Sequence, residues 1–109
     1  MLYAEDLAEG QQFQLGEYTI SEAEILQFAR QYDPVPLHTD PEAAAAGPFG
    51  GLIASGFNTI AIYQRLIVEA VWSKVAAIVG RSIEIRLPAP VRPGTKLTGR
   101  SEVQKITLR

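Results

Sequence analysis

Cysteine is absent from the 109 residues, and histidine, tryptophan and methionine occur once each. Without thiols there is no disulfide scaffold and no cysteine nucleophile. One histidine, among acids that show no ligand spacing, also argues against a dedicated zinc or calcium centre. Charge is nearly balanced: 10 Lys and Arg face 12 Asp and Glu, giving a net charge of -2 and a pI near 5.3. The cations are scattered rather than gathered with aromatic residues, so nucleic acid is not an expected partner. Long apolar runs are missing as well. The longest mostly apolar region, residues 66–79, is interrupted by Glu69, Ser73 and Lys74, which disqualifies it as a membrane span. The N-terminal segment carries Glu5 and Asp6 and lacks the basic start and apolar run of a secretion signal, so the expected location is cytoplasmic.

What is present is a 47% hydrophobic composition, enough for one soluble domain with a real core. A domain of this length buries only about two-thirds of its unfolded surface, which makes a homodimer a sensible expectation. Phe13 and Leu15 alternate with Gln12 and Gln14, predicting a strand over residues 12–20 whose pattern breaks at Gly16. Ser21 and Glu24 form a capping box for a helix running to about Gln31, with Ile25, Phe28 and Ala29 on its apolar face. A long helix from Gly56 to about Val71 is apolar on nearly every side, which predicts burial over most of its circumference and a sheet wrapped around it. Residues 72–79 extend that helix or form an oligomer contact. Ile83, Ile85 and Leu87 alternate with Glu84 and Arg86 and predict a second strand, and residues 95–107 a third, with Leu97 and Val103 inward and a doubtful middle at Gly99.

Between the two main helices lies the densest stretch of special backbone residues, 32–56, with four of the seven prolines and the only histidine, His38. Pro34 and Pro36 push Asp33 and Val35 away from helical angles and predict an extended backbone through Leu37. Asp40 before Pro41 starts a brief helix that closes at Gly47, and the segment Pro48-Phe49-Gly50-Gly51 is a turn. Such a stretch is built for geometry, as a loop feeding the start of a buried helix.

Asp33 and His38 flank four residues of this stiffened turn. A carboxylate and an imidazole that converge can hold one water and move its proton. The same spacing also fits an Asx turn at Asp33 and simple packing of His38. Gly56 offers unpaired amides at a helix start, where they can stabilise a developing oxyanion, and its missing Cβ permits close approach by a substrate; plain packing explains it equally well. Ser55 either caps the helix or touches substrate. The glycines at 47, 50, 51 and 56 match no phosphate-binding or dinucleotide motif. Ser21 has a capping role and no histidine at a telling distance, so it is not a candidate nucleophile.

The run Asp33-Pro34-Val35-Pro36-Leu37-His38, followed by Pro48-Phe49-Gly50-Gly51-Leu52-Ile53-Ala54-Ser55-Gly56 and by Pro90-Val91-Arg92-Pro93-Gly94, resembles the MaoC-like dehydratase family, near the (R)-specific enoyl-CoA hydratases. The resemblance covers essentially the whole chain. It implies an α+β hot-dog fold, a curved antiparallel sheet around a long central helix, usually paired into a dimer. It also implies that Asp33 and His38 activate the water added to a trans-2-enoyl thioester, giving the (R)-3-hydroxyacyl thioester, while the Gly56 amide, beside Ser55, binds the thioester oxygen. The substrate would be a thioester of coenzyme A or an acyl carrier protein, with no metal or redox cofactor.

Two departures from the family pattern stand out. Val35 occupies a position where the hydratase motif usually has Asn, and the chain reaches Arg109 where family members continue through further strands. The expectation is a single domain over 1–109 lacking the usual final strands. Two other functions remain open from the sequence: a hot-dog thioesterase, and a noncatalytic acyl-binding or structural subunit.

Overall fold

Residues 1–76 and 78–108 are described by a computed structural model of the chain. In chain order they form strand β1 (Gln12–Thr19), helices α1 (Glu22–Tyr32), α2 (Pro36–Thr39), α3 (Pro41–Ala45) and α4 (Gly56–Ala70), and strand β2 (Lys96–Glu102), with single 3-10 turns at Ala4–Asp6 and Trp72–Lys74. The chain divides into two compact units. One comprises Met1–Glu17, Tyr63–Ile85 and Thr98–Arg109, the other Tyr18–Ile62 and Arg86–Leu97.

β1 and β2 pair as a two-stranded sheet. In the first unit the Gly10 amide donates to the Val103 carbonyl at 2.6 Å and the Val103 amide to the Gln11 carbonyl at 2.9 Å. In the second, the Ile20 amide donates to the Thr95 carbonyl at 3.1 Å and Gly94 to Ile20 at 2.8 Å. Partners descend along β2 as β1 ascends, so the pairing is antiparallel. Leu15 then meets Gly99, and a Cβ placed on Gly99 would lie 3.1 Å from Leu15 Cδ1. The doubtful glycine is therefore where a buried leucine crosses the partner strand. Along β1 the inward positions are Phe13 and Leu15, then shift phase after Gly16 to Tyr18 and Ile20.

In the first unit Leu15, Leu66, Ile67 and Val71 are buried, and Leu2 bridges Val75 in parallel, with Leu2 donating to Lys74 and Ala76 to Leu2. Of the two readings of residues 72–79, extension of the helix gives way over residues 72–75 to the short 3-10 turn and this bridge; residue 77 lies outside the described residues. In the second unit Ile20, Ile25, Ala29, Ala44, Leu52, Ile53, Ala54 and Ile62 form the core. The capping box of α1 forms as expected, Ser21 Oγ accepting from the Glu24 amide and Glu24 accepting from the Ser21 amide. Asp40 Oδ1 accepts from the Glu42 and Ala43 amides and starts α3, with Pro41 as its first residue. At residues 92–95, Thr95 donates to the Arg92 carbonyl and Gly94 takes φ +82°, with Pro93 before it. That combination is a type II turn, whose third position requires positive φ.

Three expectations are corrected. Segment 83–87 joins no strand among the described residues, and Ile83, Ile85 and Leu87 are exposed. Alternation alone does not make a strand, because the ladder needs a neighbour. The last strand spans Lys96–Glu102, shorter than residues 95–107. Helix α4 is buried along one stripe, Asn58, Ile62, Leu66 and Ile67, while Phe57, Tyr63 and Val68 are exposed. Its all-round apolar composition exceeds what the two described strands cover.

Candidate functional site

The candidate residues all lie in the second unit, and the local sequence explains their placement. Asp33 ends α1, its amide donating to the Ala29 carbonyl at 2.8 Å. Val35 stays extended, as a residue before proline should, but Pro36 opens a one-turn helix instead of prolonging the extended backbone. This corrects the expected conformation at Leu37 and places His38 on α2. Segment 52–54 then runs back along α2, Ile53 donating to the Leu37 carbonyl at 3.3 Å, and is held on its other side by Ala54 donating to Val91 at 2.8 Å.

These contacts gather three side chains. Ser55 Oγ donates to Asp33 Oδ2 at 2.7 Å and accepts from the Phe57 amide at 3.3 Å. His38 Nε2 stands 3.6 Å from the same Asp33 oxygen. The His38 side chain is 12% exposed and that of Asp33 30% exposed. Ser55 is fully buried, so it both caps α4 and holds the carboxylate. The two roles considered for Asp33 and His38 separate here: Asp33 bonds across the fold to Ser55, and His38 bonds to a carbonyl fifteen residues on.

That carbonyl decides the histidine's proton inventory. His38 Nδ1 lies 2.8 Å from the Ile53 oxygen, and a carbonyl can only accept, so Nδ1 carries the hydrogen. The neutral ring therefore presents a bare Nε2 to Asp33. With the ring neutral and the carboxylate ionised, Nε2 and Oδ2 both accept, and a water molecule placed against both can donate one hydrogen to each.

Beside His38 opens a cavity of about 530 Å³, mostly apolar, reached also by Phe49, Ile53, Gly56, Thr59 and Leu87. The Gly56 amide, first in α4, has no hydrogen-bond partner among the described residues. The space above Gly56 is taken by Leu87, whose Cδ1 would collide with a Cβ there. Three contributors were missed by sequence reasoning: the Ile53 carbonyl, Leu87, and Arg92, whose Nη2 donates to the Phe49 carbonyl at 2.8 Å and steadies the cavity's aromatic wall. Ile53 and Arg92 stood inside the two motif runs and Leu87 in the predicted second strand, but nothing in those stretches marked the individual group as part of the site.

Comparison with known proteins identifies the family. The family model described as the MaoC like domain matches residues 6–109. The chain is 41% identical over 91 residues to 3-hydroxyacyl-thioester dehydratase Z of Mycobacterium tuberculosis, a match covering 78% of this chain and 58% of that protein. It spans about half the length of the curated relatives it matches. The crystal structure of a MaoC-like dehydratase from Rhodospirillum rubrum superposes with a TM-score of 0.91 at 41% identity, covering 98% of this chain and 73% of that one. The (R)-hydratase from A. caviae involved in PHA biosynthesis gives a TM-score of 0.73 at 29% identity, over 93% of this chain and 75% of that one. The chain thus belongs to the MaoC-like dehydratase family and has its α+β hot-dog fold, an antiparallel sheet with a central helix, related to that of the (R)-hydratases.

Proposed function

We propose that this protein catalyses reversible hydration of a trans-2-enoyl thioester to the (R)-3-hydroxyacyl thioester. The observation that carries this reading is the pair of acceptors, His38 Nε2 and Asp33 Oδ2, 3.6 Å apart beside a mostly apolar cavity. A water donating to both presents its own lone pair outward. As its oxygen bonds to the β carbon, the π electrons move through the α carbon onto the thioester oxygen, and one water proton passes to the Asp33–His38 pair. The pair then returns a proton to the α carbon, the enolate collapses to the thioester, and the water's remaining hydrogen stays on the new hydroxyl. Dehydration is the same path reversed.

Each neighbouring group has a part in this scheme. The Gly56 amide receives the charge that develops on the thioester oxygen, where one preorganised donor is worth about 10²–10³ in rate. Ser55 keeps Asp33 Oδ2 turned toward His38, and the Ile53 carbonyl keeps the hydrogen on Nδ1. Leu87 turns aside to admit the thioester; its 57% exposure leaves it room to do so. The thioester carrier is coenzyme A or an acyl carrier protein. The working form is a homodimer, supported by Phe57, Tyr63 and Val68 standing exposed on the central helix.

The test follows loss of the conjugated double bond of a short trans-2-enoyl-CoA. Asp33→Asn, which keeps the shape and removes the charge, is expected to lower turnover by about 10²–10⁴-fold, with the native product an (R)-3-hydroxyacyl thioester. Free acid as product moves the reading to a thioesterase. Ligand binding without turnover, unaffected by Asp33→Asn, moves it to an acyl-binding subunit.

A further inference from the structure

One apolar side chain stands where the proposed chemistry needs room. Outside its own helix and its chain neighbours, the three heavy atoms nearest to a Cβ built on Gly56 all belong to Leu87. Cδ1 would overlap that Cβ, and Cγ and Cδ2 would lie 3.6 and 3.7 Å from it. Leu87 belongs to no helix or strand and is exposed, yet its backbone is held on one side. Pro88 follows it and keeps it away from helical angles. Four residues on, the Val91 carbonyl accepts from the Ala54 amide at 2.8 Å, two residues before Gly56. What is left to yield is the side chain itself, by rotation about χ1 and χ2.

The chemistry decides which part of a substrate this side chain meets. An enoyl thioester is conjugated and therefore flat. Water adds perpendicular to that plane, so Asp33 and His38 serve a face of the acyl group. An amide donor approaches a carbonyl oxygen close to the plane, so the Gly56 amide reaches the edge that carries the oxygen. A side chain packed on Gly56 then borders that edge and leaves the faces clear. The carbonyl carbon has two flanks in the plane, sulfur and the α carbon. Sulfur is common to every acyl thioester, whereas the α carbon carries either a hydrogen or an in-plane branch.

We propose that Leu87 is a specificity-determining residue that restricts the site to enoyl thioesters with no substituent on the α carbon. The inference rests on the hydration reading above and narrows its substrate class. Leu87 turns aside far enough to clear the oxygen and the α hydrogen, and an α-methyl group claims the volume into which it turns. One such carbon in an apolar pocket is worth about 10–200-fold in kcat/KM.

The test compares trans-2-butenoyl-CoA with its 2-methyl counterpart in the native protein and in Leu87→Ala. The native protein should favour the unbranched substrate, and Leu87→Ala should reduce that ratio of kcat/KM by about tenfold or more. Reading both substrates in each protein cancels the difference in their intrinsic reactivity, and a general loss of structure lowers both rates and leaves the ratio. Leu87→Met, which keeps the volume, should keep the native ratio. A native ratio in Leu87→Ala, or equal turnover of the two substrates by the native protein, overturns the proposal. If Leu87→Ala does not fold, Leu87→Val carries the test, with the ratio reduced several-fold and an unchanged ratio overturning it.

Binding separates this inference from the reaction. The same two thioesters, titrated calorimetrically against Asp33→Asn with and without Leu87→Ala, read the selection without turnover. Selection that depends on Leu87, with no hydration of any enoyl thioester by the native protein, would sink the proposed activity and keep the filter. Hydration with a ratio indifferent to Leu87 would do the reverse.

Discussion

Ser55 links structure and proposed chemistry through one hydroxyl, which accepts from the Phe57 amide and donates to Asp33. Replacing it by Ala removes a helix cap, worth about 1 kcal/mol, and a hydrogen bond to a carboxylate, worth about 1.5–3 kcal/mol. We expect Ser55→Ala to fold with stability reduced by about 2–4 kcal/mol in urea unfolding, summing those two contributions. On the proposed mechanism its turnover also falls, because the carboxylate is free to rotate away from His38. A stability loss below about 0.5 kcal/mol would mean that the hydroxyl contributes neither contact. Much of this neighbourhood was legible in the sequence. Asp33 and His38 announce themselves by type and by the prolines between them, and Ser55 by its place before a helix. The partner that fixes the imidazole hydrogen did not, because every residue has a carbonyl and nothing in Ile53 marks its own. Leu87 was likewise invisible as a neighbour of Gly56, since only packing brings the two together.

Among the elements, those set by local chemistry were readable and those set by distant partners were not. The capping box at Ser21 and Glu24 and the Asp40-Pro41 start depend on neighbours three or four residues away, and both helices begin where the sequence places them. Segment 83–87 has the right alternation and still joins no described strand, because its fate depends on a neighbour that its own residues do not specify. β2 gives a direct test of the register. Gly99 faces Leu15 closely enough that a Cβ would sit 3.1 Å from its Cδ1. Gly99→Val should therefore destabilise by about 1–3 kcal/mol through overpacking, despite valine's greater strand preference. Pairing it with Leu15→Ala should recover part of that loss. A stabilised Gly99→Val single variant would show that another residue faces Leu15.

At the scale of the whole molecule, composition shows how apolar the central helix is but not how much of it is covered. Phe57 is 69% exposed, and Tyr63 and Val68 are also open. Isolated exposed apolar residues are ordinary, but several on one helix are what a partner copy would cover. Light scattering should report a mass of about twice 11.9 kDa for the homodimer proposed above, and Phe57→Lys should shift the population toward monomer. A native monomer at every concentration tested would count against the dimer.

The pairing of β1 with β2 has a consequence in time as well as in space. The two strands lie near opposite ends of the chain, so the ladder that joins Gln11 to Val103 must close a loop containing every helix. Helical turns form in about a microsecond or less, whereas contacts between residues this far apart in sequence push folding toward milliseconds to seconds. On these rates the sheet is expected to close after the helices, which meanwhile hold their apolar stripes in water.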